Sequence, residues 1–145
     1  MSELRALIVD DSSVMRKIVE RSLRQAGLDP LVVREAGSGV EALEILRSDR
    51  VDLILTDINM PAMDGLELVR QIRARNLAPA APIVMITTES SEEHVKQAIQ
   101  AGARGYIRKP FTAEQVKERV LPLVLAAYGQ VLSPVPIQVC GRRES

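Results

Sequence analysis

The chain has 145 residues, 46% of them hydrophobic, which is enough for one well-packed domain and too few for two ordinary ones. Nineteen Lys and Arg residues balance nineteen Asp and Glu residues, so no overall field draws the protein to nucleic acid or to an anionic membrane, and Tyr106, Phe111 and Tyr128 are too few rings for a base-stacking platform. A single cysteine, Cys140, excludes an internal disulfide; with no signal-peptide pattern and no membrane-length apolar run, a cytoplasmic protein is expected.

In chain order, short β-rich runs alternate with stretches of helical period. Ala6–Val9 is followed by Met15, Ile18, Val19, Leu23 and Ala26; Leu31–Val33 by Val40, Leu43 and Leu46; Asp52–Thr56 by Leu66, Val69 and Ile72. Ile83–Thr87 is followed by Val95, Ala98 and Ile99, and Tyr106–Arg108 by Val116, Val120, Val124 and Ala127. Ser38 with Glu41, Asp64 with Glu67, Ser90 with Glu93 and Thr112 with Gln115 have capping-box spacing, while Gly27 and Gly102 stand where helices should end. Pro122 removes the helical bond to the Glu118 carbonyl, at a cost of about 3 kcal/mol, and predicts a kink rather than a stop because the apolar period continues past it. Residues 130–145, with Pro134 and Pro136, read as an extended tail beyond a domain at 1–129. Five strand–helix units of this kind predict an α/β fold, a parallel sheet covered on both faces with its site at the carboxyl ends of the strands.

The strand ends carry chemistry. Asp10 and Asp11 follow the first run, Asp57 the third, Thr87 closes the fourth and Lys109 follows the fifth. If the first and third strands are neighbours, three carboxylates share one crevice and need compensation by protonation or by a hard cation. Oxygen-only donors in small number suit Mg²⁺, with Mn²⁺ as a substitute, and that set equips the crevice to handle a phosphoryl group, with Asp57 as nucleophile and Lys109 as the charge that meets the product. Taken singly, the Asp10–Asp11 pair would be a helix cap, Asp57 a loop opener, the Thr87–Thr88 pair strand residues and Lys109 a solvated lysine; their joint placement carries the inference. His94 reads as a surface residue, the methionines as filler, and Cys140 as incidental.

Asp10-Asp11, Asp57-Ile-Asn-Met-Pro-Ala-Met-Asp-Gly65, Ile86-Thr87-Thr88-Glu89 and Tyr106-Ile-Arg-Lys109-Pro110-Phe111 together resemble the receiver domain of bacterial two-component response regulators, of the stand-alone chemotaxis (CheY-like) type, over residues 5 to about 129. The resemblance implies a flavodoxin-like five-stranded doubly wound sheet in the order 2-1-3-4-5. It implies that Asp57 accepts a phosphoryl group from a histidine kinase or a small phosphodonor in a Mg²⁺-dependent reaction. Asp11 would bind the metal directly, Asp10 mainly through water, and Asp57 and the Asn59 backbone carbonyl would complete the protein ligands. Thr87 and Lys109 would contact the phosphoryl oxygens, the Lys109–Pro110 bond would be cis, Tyr106 would switch rotamer with Thr87, and Asn59 and Glu89 would tune dephosphorylation. The protein so implied is a signalling phosphoacceptor, monomeric or weakly dimeric, rather than an enzyme. A downstream protein target would read helix four, strand five and helix five.

Two departures stand out: Thr88 puts a β-branched side chain where the family often has a small residue, and the fourth helix opens on acidic residues, unlike the flagellar-switch-binding examples. A phosphorelay shuttle, or a constitutive interaction module working through the tail, remains open as an alternative function. Gly37-Ser-Gly39-Val-Glu-Ala42 matches a dinucleotide fingerprint, but Glu41 puts a negative charge where the pyrophosphate would sit. An aspartyl-phosphate phosphatase would need a proton-transferring acid two residues after Asp57, where this chain has Asn59. No P-loop occurs.

Overall fold

The computed structural model describes residues 3–88 and 92–129. They form β1 (Leu4–Val9), α1 (Ser13–Gln25), β2 (Leu31–Ala36), α2 (Gly39–Ser48), β3 (Leu53–Asp57), α3 (Gly65–Ala74), β4 (Ile83–Thr87), α4 (Glu92–Ala101), β5 (Gly105–Arg108) and α5 (Ala113–Tyr128). All strand pairs are parallel and the sheet order is β2-β1-β3-β4-β5, as the resemblance implied.

Alternation along the strands sorts the core into two layers. Leu7, Val9, Ile54 and Met85 face Leu43, Leu68, Ile72 and Ala98, so α2, α3 and α4 cover one side of the sheet. Ile8, Leu53, Leu55 and Val84 face Leu23, Val116, Val120 and Val124, so α1 and α5 cover the other. Every residue of β3 and β4 is buried, as expected of central strands sandwiched between helices. Truncating one such side chain, for example Leu55, to alanine costs about 2–5 kcal/mol.

Several element limits differ from the sequence expectation. β2 runs on to Ala36, past the apolar run ending at Val33, because Arg34 and Glu35 pair with Leu7 and Ile8 at the sheet edge and need not be apolar. β3 begins one residue later and includes Asp57 itself. The first helix is capped not by the Asp pair but by Ser12, whose hydroxyl accepts from Met15 N–H. Ser38 and Asp64 cap α2 and α3, but among the described residues only Thr112 with Gln115 forms the full reciprocal box. Ser90, the first residue of the Ser90–Glu93 box, and the 130–145 tail lie outside the described residues. α5 continues through Pro122 to a left-handed cap at Gly129, so the proline neither stops nor divides the helix.

Candidate functional site

The sheet brings the ends of β1, β3, β4 and β5 to one edge. Asp10 follows β1, Asp57 ends β3, and β1 and β3 are direct neighbours, so both carboxylates enter the same crevice. Asp10 is 2% and Asp57 6% exposed, while Asp11 is open to solvent, and carboxylate oxygens of all three lie within 4.8 Å of one another. Lys109, one residue beyond β5, reaches across with Nζ at 3.5 Å from Asp10 Oδ2 and 3.6 Å from Asp57 Oδ1. Its backbone N–H donates to the Thr87 carbonyl, tying the end of β5 to the end of β4. Thr87 is fully buried, and the Lys109–Pro110 peptide bond is cis.

Local hydrogen bonds hold the carboxylates. Ser12 N–H donates to Asp10 Oδ1 at 2.9 Å, and Asn59 N–H donates to Asp57 Oδ1 at 3.4 Å. Arg16 Nη1 donates to the Asp10 carbonyl at 2.6 Å, while its Nε donates to Glu35 on β2 at 2.8 Å. Lys17 shares Glu35, and the two cations hold the Glu35 carboxyl below its ordinary range. Gly65 packs against the strand end so closely that a Cβ there would stand 2.1 Å from the Asp57 carbonyl oxygen. Only glycine lets α3 begin so near the site.

Electrostatics within the crevice are unbalanced. Burial pushes the Asp57 carboxyl up, Asp10 and Asp11 push it further, and Lys109 with the Asn59 amide only partly opposes them. One ammonium faces three carboxylates, and among the described residues Asp10 Oδ2 is buried with no hydrogen bond, only the ion pair to Lys109. Several oxygen donors, excess negative charge and one carboxylate oxygen without a donor fit a hard divalent cation of Mg²⁺ type.

Tyr106, on β5, is half-buried against the α2–α4 layer, and the Arg119 guanidinium lies 5.0 Å from its ring centroid. Thr88 is exposed, and Glu89 lies outside the described residues. In the Gly37–Ala42 segment, Glu41 Oε1 accepts from Gly37 N–H at 2.6 Å, so the chain's own carboxylate occupies the place a bound pyrophosphate would need. Sequence reasoning missed Arg16, Glu35 and Ser12. Arg16 had a signal: a cation in the first turn of a helix opposes the macrodipole and needs a reason to be there.

An open, doubly wound parallel sheet defines a class of domains that bind their ligands in the crevice at the switch point, and here that crevice is acidic. The response regulator receiver domain family matches residues 6–121. A chemotaxis protein CheY homolog of Campylobacter jejuni is 43% identical over 118 residues, covering 81% of this chain and 89% of that protein. Among solved structures, Vibrio cholerae chemotaxis protein CheY4 aligns with a TM-score of 0.74 at 37% identity, over 85% of this chain and 99% of that one. A CheY-like receiver domain protein from Methanospirillum hungatei aligns with a TM-score of 0.76 at 29% identity, over 88% and 98% of the two chains. The chain belongs to the response regulator receiver domain family.

Proposed function

We propose that this protein is a phosphorylation-controlled response regulator in which residues 1–129 act as the receiver and Asp57 is the phosphoacceptor. The observation that carries the reading is the placement of Asp57: last residue of a central strand, buried, 3.6 Å from Lys109, in a cluster of three carboxylates. Asp10, Asp11, Asp57 and the Asn59 backbone carbonyl would hold Mg²⁺. When bound, that ion supplies neutralisation of the charge that builds up during phosphoryl transfer.

A carboxylate oxygen of Asp57 attacks the phosphorus of a phosphohistidine on a histidine kinase, or of a small phosphodonor. The bond from phosphorus to the leaving nitrogen or oxygen breaks as the new acyl-phosphate bond forms, and a nitrogen leaving group takes up a proton. Lys109 stands ready to pair with the added oxygens, and Thr87, at the end of β4, is the neighbouring hydroxyl for the same group. Asn59 replaces the general acid of an aspartyl-phosphate phosphatase, which favours a phosphorylated state that persists. Asn59 and Glu89 tune its lifetime.

Phosphorylation changes the charge at Asp57 from −1 to near −2, and the change is read out through Thr87 and Tyr106 at the face made by α4, β5 and α5. Moving a population from 1:99 to 99:1 takes about 5.5 kcal/mol, so a downstream protein partner that binds the active face contributes to the switch. The resemblance to chemotaxis proteins favours a chemotaxis pathway, a cytoplasmic setting and a monomer or weak dimer as the working form. Among the described residues, no helix is long and apolar enough to cross a membrane.

Incubation with Mg²⁺ and acetyl phosphate tests the reading. An alkali-labile adduct is expected that maps to Asp57, vanishes in Asp57→Asn and requires the metal. No adduct, or one retained by Asp57→Asn, overturns the assignment.

A further inference from the structure

The opposite edge of the sheet, where strands β4 and β5 begin, holds a second charged cavity that the phosphoacceptor reading does not use. Its volume is about 280 Å³, and its walls come from the α3–β4 connection, the α4–β5 connection and the last turns of α5. Arg73 and Arg104 are its charged groups, no acidic residue lines it among the described residues, and Pro79, Pro82, Leu123 and Ala127 supply apolar surface. Neither arginine forms an ion pair among the described residues, so two like charges share the cavity without a counter-charge.

Arg73 is held in place rather than waving in solvent. Its side chain runs across Gly102, whose φ of +123° and missing Cβ make room for it: a Cβ there would stand 2.8 Å from both Cγ and Nε of Arg73. One guanidinium nitrogen, Nη2, donates to the Gly102 carbonyl at 3.1 Å. That bond anchors the group at the end of α4 and uses one of its five donors. Burial, and next the charge of Arg104, lower the proton affinity of Arg73, so the pair carries electrostatic strain that an anion would relieve.

We propose that this cavity is a binding site for a small phosphate monoester bearing an apolar group. Two guanidinium groups can together match a dianion through paired N–H donors, and the proline, leucine and alanine walls suit the apolar part of the ligand. A monocarboxylate would match half of the charge and inorganic phosphate would leave the apolar wall unused. The site lies at the opposite end of the strands from Asp57, and its occupation does not depend on phosphorylation.

The probe is phenyl phosphate, titrated into the full-length ¹⁵N-labelled protein without Mg²⁺ at fixed ionic strength, with inorganic phosphate and benzoate as comparisons. Saturable shifts are expected at the amides of Ala81, Arg104 and Ala127, with both comparison ligands binding more weakly. Arg104→Gln is expected to weaken phenyl phosphate by about fivefold or more, as loss of a charge-assisted contact should. Ala127→Glu, an exposed substitution that sets a carboxylate in the cavity wall, should weaken it as well. Shifts that do not saturate, shifts confined to the Asp57–Lys109 crevice, or affinity unchanged in both variants would overturn the proposal. Since Asp57→Asn should leave this binding intact, failure here and failure of the phosphoacceptor reading are separable.

Discussion

Two glycines near the crevice meet their neighbours on different terms. A Cβ on Gly39 would press on the flexible Met63 side chain at 2.6 Å, which can swing aside, whereas a Cβ on Gly65 would meet the Asp57 carbonyl and the Ile58 backbone, which cannot. Gly65→Ala is therefore expected to cost about 2–4 kcal/mol in urea unfolding and to disturb acyl-phosphate formation, with Gly39→Ala much milder; equal costs would show that α3 can retreat from the site. Asp57 itself makes a prediction about pH. Its folded pKa is raised, so its contribution to stability is fully present below the ordinary carboxylate value of 3.8 and is lost as pH rises through the folded value. Ionised Asp57 thus works against folding at neutral pH without metal. Asp57→Asn should unfold at higher urea than the parent at pH 7 in EDTA, and the gap should narrow as pH approaches 4, near the ordinary value. A less stable variant, or a gap indifferent to pH, would contradict this.

Helices and strands were legible in the sequence to the degree that burial wrote them there. β3 and β4, buried on both sides, announced themselves as apolar runs, while the end of β2 did not, because an edge strand tolerates Arg34 and Glu35. The cap of α1 was hidden for a different reason. Ser12 bonds the amide of Met15, so no acidic partner marks the motif, and the adjacent Asp pair looks like the better cap although Asp10 turns into the crevice. Pro122 shows the reverse case, a strong local signal outvoted by packing. Val116, Val120 and Val124 are buried along one stripe of α5, and that burial carries the helix through the exposed proline. Pro122→Ala should restore the bond to the Glu118 carbonyl and stabilise the protein by about 1–3 kcal/mol, read as a shift in urea midpoint with unchanged slope. No gain would mean that α5 is already distorted around residue 122 in a way alanine does not repair.

Assembled into one molecule, the site was readable before its supports were. Parallel α/β order places every strand's carboxyl end at the same edge, so Asp10, Asp11, Asp57, Thr87 and Lys109 could be put at one end of the sheet from the sequence pattern, and the strand order implied by the family resemblance brought them into one crevice. Glu35 could not, and Arg16 was marked only as a cation out of place in the first turn of α1, since the partners of both depend on how α1 packs over β2. The same assembly explains why the folded chain should depend on a cation. Three carboxylates are gathered against one lysine, and folding brings Asp10 Oδ2 into a buried position with no hydrogen bond among the described residues, only the ion pair to Lys109. A divalent ion that binds only the folded form stabilises it by mass action, by about 2.7 kcal/mol at one hundred times its dissociation constant. Mg²⁺ should raise the thermal midpoint in a saturable way and EDTA should reverse the rise. Asp11→Asn, at an exposed position, should leave the metal-free midpoint unchanged or higher while removing most of the Mg²⁺ response. A full response in that variant would place the ion elsewhere, and a midpoint indifferent to Mg²⁺ in the parent would mean that Lys109 alone balances the cluster.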